Sequence, residues 1–160
     1  MVSIHLICVG KLKEKHFAAA CGEYEKRLGP FCRLTVTELA EERLPDDPSR
    51  AQIEAALEKE AAAIEAKLPR GGTVIALCIE GKELSSEALT ETMARFAAQG
   101  SPQFTFLIGG SFGLAERVKA RADLRLSMSP MTFPHHLARV MLLEQLYRAY
   151  QIQSGTNYHK

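Results

Sequence analysis

A chain of 160 residues with 46% hydrophobic and 24% charged residues has the size and composition of one globular domain, which excludes a disordered or fibrous chain. The formal net charge of +1 excludes a uniformly basic nucleic-acid binder, so an anionic partner has to be met by a local basic patch. The four cysteines, Cys8, Cys21, Cys32 and Cys78, show no CxxC pair and no metal-like spacing with histidine, and read as reduced thiols.

The opening MVSIHLICVG has no basic stretch before its strand-length apolar run, so neither a secretory signal nor a membrane span is expected, and the expected compartment is the cytoplasm. The first predicted strand, 3–9, ends at Val9-Gly10-Lys11. A single glycine there is too few for the dinucleotide fingerprint GxGxxG, and no Walker loop occurs. Lys11, Lys13 and Lys15 follow, readable either as contacts to a nucleic-acid backbone or as a solvated basic turn. A helix is predicted over 14–28 and a strand over 33–39. The segment 41–48, EERLPDDP, reads as a solvated connection. A helix over 49–68 is capped by Ser49 and repeats Ile53, Leu57, Ile64 and Leu68 at helical spacing. Strand 73–79 precedes a helix over 84–99, which starts at Ser85 or Ser86, carries Glu87 in its first turn and stops at Gly100. Strand 104–108 runs into Gly109-Gly110. A helix at 113–122, a strand at 124–128, a polar proline-interrupted loop and a long apolar helix at 134–153 complete the pattern. The third and fourth strands are apolar on both faces, as in a helix-covered parallel sheet. The expectation is a single α/β domain over 1–160 with a mostly parallel five-stranded sheet flanked by helices.

In such sheets ligands sit at the carboxyl ends of strands. Three ends are candidates: Leu77 to Lys82, Gly109 to Gly113, and Met128 to Phe133. Gly109 leaves a backbone that a flat or phosphorylated small molecule can approach closely. The small molecule is therefore expected late in the sequence rather than after the first strand.

Several segments now combine: VGKLKEKHF…EYEKRLGP, IALCIEGKELSSE, FLIGGSFGL, SMSPMTFPHHLARVMLLEQLYRAYQI and the terminal YHK. Over the whole chain they resemble the SPOUT class of RNA methyltransferases, and within it the ribosomal large subunit methyltransferase H family. The resemblance implies an α/β-knot fold with a C-terminal trefoil knot. It also implies S-adenosyl-L-methionine as cofactor, a homodimer, and methylation of N3 of a pseudouridine in helix 69 of 23S ribosomal RNA within the ribosome. Carried onto this sequence, the cofactor lies against Leu77, Gly109 and the block Met128, Ser129, Pro130, Met131, Thr132 and Phe133. No metal, membrane or DNA enters the expectation. Two rivals stay open. A sister SPOUT enzyme would act on a transfer-RNA base or a ribose 2′-oxygen, against which the compact chain without an added RNA-binding domain argues. A non-catalytic ribosomal RNA-binding module would need no glycine-walled pocket.

On the last helix Arg139 lies in the middle of an arc formed by Leu142, Leu143, Leu146 and Tyr150. A buried unpaired guanidinium is costly, so Arg139 is expected to be paired or to face RNA, at the dimer seam or the site. Arg148, with Glu144 and Gln151, reads equally as a solvated strip or as a phosphate holder beside the partner's pocket. His135 and His136 read as a first-turn pair, exposed or hydrogen-bonded locally. A helix apolar over most of its circumference needs cover on two sides, the sheet on one and a second subunit on the other. In the tail, Tyr158 is expected to stack on or position the base, His159 is the candidate for proton handling with water or a backbone group as the alternative, and Lys160, with Arg148, is expected to hold phosphate.

Overall fold

The strand on which the sheet is built comes first in the sequence. In the computed structural model, which describes residues 1–100 and 102–160, β1 (Val2–Val9) pairs in parallel with β2 (Cys32–Leu39) on one side and β4 (Gln103–Ile108) on the other. β3 (Thr73–Glu83) then joins β4 to β5 (Leu124–Ser127), so the order is β2-β1-β4-β3-β5 with every one of these pairs parallel.

Strand periodicity divides the side chains between two helical layers. From β1, Ile4, Leu6 and Cys8 point into one core, and Phe104, Phe106 and Ile108 of β4 join them. That core is closed by α1 (Lys15–Leu28), α3 (Ser86–Gln99) and α5 (His135–Gln153), through Leu28, Met93, Leu142, Leu143 and Leu146 among others. On the other face Ile7, Val9, Ala76 and Leu107 meet Ala61 and Ile64 of α2 (Arg50–Lys67) and Val118 of α4 (Glu116–Arg121). Each such fully buried Leu, Ile or Phe contributes about 1.5–3 kcal/mol. The helix starts follow their caps. Ser49 accepts the Gln52 N–H at 3.2 Å while Gln52 accepts the Ser49 N–H at 2.8 Å, and Ser85 accepts the Ala88 N–H at 3.0 Å.

Two elements depart from the sequence pattern. β3 continues four residues past Ile79 through the polar stretch Glu80–Glu83, because after an irregularity it pairs again with β5, Lys82 with Leu126 and Glu83 with Ser127. Gly81 makes this close approach possible, since a Cβ there would lie 2.8 Å from the Arg125 carbonyl. α4 spans only six residues, because Leu114 and Ala115 are spent as extended core residues before it. Along α5, α1 and α3 of the same chain pack beside the sheet, so its apolar surface is covered on more sides than the two-sided argument assumed.

Candidate active site

The carboxyl ends of β3, β4 and β5 converge on a cavity of about 410 Å³, a volume suited to a small molecule. Of the expected cofactor residues, Leu77, Gly109, Met128, Ser129, Met131, Thr132 and Phe133 line it. Pro130 is exposed and is not among the lining residues. Ile79, Phe112 and Met131 line it while remaining exposed and give it an apolar rim. Ser129 shapes the loop from within: its hydroxyl accepts the Met131 N–H at 3.0 Å, and its carbonyl accepts the Ser127 hydroxyl at 3.1 Å. Lys119, missed by the sequence reading, also lines the cavity, where it pairs with Glu80 and, at 3.5 Å, with Glu116.

The glycine wall has a different cause from the one expected. A Cβ on Gly109 would lie 2.5 Å from the carbonyl carbon of Gly113. Gly109 is glycine because the loop folds back on itself there. Gly113, at φ +79°, closes the turn by donating its N–H to the Gly110 carbonyl at 3.1 Å. The turn is also held from outside: Ser111 donates its N–H to Glu41 Oε1 at 2.7 Å. Asp46 and Asp47 of the 41–48 segment are exposed, as a solvated connection requires, but Glu41 and Glu42 are half-buried and engaged.

His135 lines the cavity, and its ring packs where a Gly10 side chain would stand; a Cβ there would be 2.6 Å from Cε1. Its Nδ1 is buried with no partner among the described residues, and burial, reinforced by the neighbouring His136, pushes its pKa down. His136 packs on Phe17, the ring centroids 4.5 Å apart. The pair is therefore packed, not solvated. The signal for this was Gly10, whose missing side chain admits the His135 ring.

Arg139 is buried and paired. It donates to Glu38 Oε2 at 2.8 Å and to the Gly10 carbonyl at 3.2 Å, binding the N-terminal part of α5 to the ends of β1 and β2. It is not among the residues lining the cavity.

The tail residues gather elsewhere. Glu144 accepts three bonds from the Arg148 guanidinium, at 2.7 and 3.2 Å, and the Tyr158 hydroxyl at 3.0 Å. The Arg148 guanidinium lies 4.8 Å over the Tyr158 ring. Burial and the bond to Glu144 push the Tyr158 phenol up to about 12, so it remains a donor at neutral pH. Arg148 Nη1 approaches His159 Nδ1 at 3.1 Å, and His159 Nε2 lies 2.7 Å from Glu87 Oε1. Since a guanidinium only donates, Nδ1 accepts and the imidazole proton sits on Nε2, facing Glu87. Lys160 is exposed. None of Arg148, Tyr158, His159 and Lys160 lines the cavity, whose contacts with α5 are at His135 and Ala138. Arg148 lies ten positions after Ala138, about 15 Å along the axis.

A parallel five-stranded sheet with a cavity at the carboxyl ends of its late strands is an α/β architecture with the cavity where such sheets bind ligands. The chain belongs to the SPOUT methyltransferase family, whose profile, described as "Predicted SPOUT methyltransferase", matches residues 2–159. It is 46% identical over 159 residues to the Ribosomal RNA large subunit methyltransferase H of Clostridioides difficile (strain 630), covering 99% of this chain and 100% of that protein. To the protein of the same name from Streptococcus equi subsp. equi (strain 4047) it is 45% identical, with the same coverage. The fold is similar to a probable methylase family protein from Haemophilus influenzae Rd KW20, with a TM-score of 0.53 at 12% identity over 98% of this chain and 70% of that one.

Proposed function

We propose that the protein transfers a methyl group from S-adenosyl-L-methionine to N3 of a pseudouridine in helix 69 of large-subunit ribosomal RNA, acting in the cytoplasm as a homodimer with a C-terminal trefoil knot. The observation that carries this reading is the cavity at the ends of β3, β4 and β5, formed by Leu77, Gly109 and the Met128–Phe133 loop within a chain similar over its full length to ribosomal RNA methyltransferases. The RNA position and the knot rest on the resemblance to the family.

The residues fit such a cofactor. Leu77, Leu126, Met128 and Phe133 offer apolar faces to a purine, and the Gly109–Gly113 turn offers backbone groups without side chains. When bound, the sulfonium supplies an electrophilic methyl group. The protein's part is to place N3 in line with that methyl, to exclude water and to let the N3 proton leave. Within one chain the Arg148–Tyr158–His159 cluster lies about 15 Å along α5 from the cavity's contact, so the two combine most simply across a dimer, with one subunit's tail beside its partner's cavity. In that arrangement Tyr158 stacks on or orients the base, and Arg148 and Lys160 hold phosphate. His159 receives the N3 proton only after its Nδ1 leaves Arg148, so the arrangement supports a positioning role more than that of a free base. The test has two parts: calorimetry with S-adenosyl-L-methionine, and mass mapping of helix 69 in ribosomes from a strain lacking the protein. A missing methyl group in that strain, restored by the gene, is the expected result.

A further inference from the structure

Glu41 stands 70 positions before the glycine turn and touches it. Its carboxylate accepts the Ser111 N–H at 2.7 Å and occupies the space beside Gly110, where a Cβ would fall 2.6 Å from Oε1 and 2.9 Å from Cδ. Glu41 is itself held in place. The next residue, Glu42, donates its N–H at 2.9 Å to Glu60 Oε2, and Glu60, only 7% exposed, is fixed on α2. The segment after β2 thus forms a brace from α2 to the far side of the cavity wall. Gly109 to Gly113 line the cavity, whereas Glu41, Glu42 and Glu60 do not.

The turn needs such a brace. It carries three glycines in five residues, which lose more backbone freedom on ordering than any other residue type. Its own closure is the Gly113–Gly110 bond. The bond that the Ser111 N–H donates to the Glu41 carboxylate, in a segment tied to α2 through Glu42 and Glu60, fixes the remaining end.

We propose that Glu41 is a positioning residue: through Ser111 and Gly110 it holds the glycine turn in the shape the cavity's ligand requires, without touching that ligand. The proposal rests on the reading of the cavity as the S-adenosyl-L-methionine site. Gly110 follows from it as well, since any side chain there would displace the carboxylate.

The test compares Glu41→Ala and Glu41→Gln in the full-length protein. Glutamine keeps an oxygen that accepts the Ser111 N–H; alanine keeps none. S-adenosyl-L-methionine should bind about fivefold more weakly to Glu41→Ala, and within about twofold of the wild-type affinity to Glu41→Gln. In parallel, the Ser111 amide proton resonance of the unliganded protein should move upfield in Glu41→Ala, which loses the acceptor, and return toward its wild-type position in Glu41→Gln, a pattern that a general loss of stability does not produce. Equal affinity in wild type and Glu41→Ala, or a Ser111 amide indifferent to Glu41, overturns the proposal. If the folded wild type binds no S-adenosyl-L-methionine, the cofactor reading fails. The brace is then judged by the Ser111 resonance alone.

Discussion

Arg139 of α5 and Glu38 of β2, 101 positions apart, form an ion pair of 2.8 Å at the carboxyl end of the sheet. The Leu12 N–H donates to the same Glu38 oxygen at 3.1 Å. One carboxylate oxygen therefore fastens the last helix and the turn after β1 to β2. Burial works against the charge on Glu38, but the hydrogen bonds from Arg139 and Leu12, with the charges of Arg139 and Lys11, hold its pKa below the usual carboxylate range.

Glu38 therefore adds stability at pH values above its unfolded-state pKa, and that contribution is lost as pH falls through the lower, folded-state value. Glu38→Gln should reduce stability at pH 7, and the difference from wild type should shrink in acid below the folded-state pKa. Arg139→Met should cost about 2 kcal/mol, below the usual figure for breaking a buried pair because Glu38 is one-third exposed. Urea denaturation at neutral and acid pH measures both.

Gly109→Ala should already lose the cavity's ligand, because the added methyl meets the Gly113 backbone rather than a movable side chain. Calorimetry with S-adenosyl-L-methionine, with circular dichroism to monitor folding, checks this. Wild-type affinity in the folded variant would remove the turn from the site.

Deleting residues 157–160 should spare cofactor binding and abolish methyl transfer, since the cavity is built without the tail. A mixed dimer of one tail-deleted subunit and one Gly109→Val subunit should regain one working site, although each homodimer is inactive. A dead mixed dimer of folded subunits would refute the cross-subunit arrangement.

His159→Ala should slow transfer only a few-fold, since Nδ1 is occupied by Arg148. A loss of about 10²–10⁴-fold in single-turnover rate would instead make it the acid–base group.

Sedimentation should find a dimer at micromolar concentration. A stable monomer would leave the cavity and the Arg148–Tyr158–His159 cluster unconnected and would defeat the composite site.

The regular elements were legible because their signals are local. Short apolar runs, the third and fourth apolar on both faces, gave all five strands to within a few residues, and Ser49 and Ser85 marked helix starts that the caps explain. The cavity's outline was legible through Leu77, Gly109 and the 128–133 loop. What stayed hidden depends on partners distant in sequence. The strand reads as ending at Ile79 until β5 lies beside Glu80–Glu83. Glu41 reads as a solvated acid until the Ser111 N–H, 70 residues away, is placed against it. Gly109 reads as a glycine that lets a ligand approach, whereas the neighbour its Cβ would meet is the carbonyl of Gly113, within the turn's own geometry.

The strand order also governs how the molecule can be made. β1 is synthesised first, yet one of its two neighbours, β4, begins only at Gln103. At synthesis rates of about 5–20 residues per second the nascent chain exposes that apolar edge for roughly 5 to 20 s before its partner exists. An unpaired edge of this kind is a template for misassociation. A sheet built from such distant pairs folds slowly, so its completion awaits the last third of the chain and the arrival of Arg139 at Glu38.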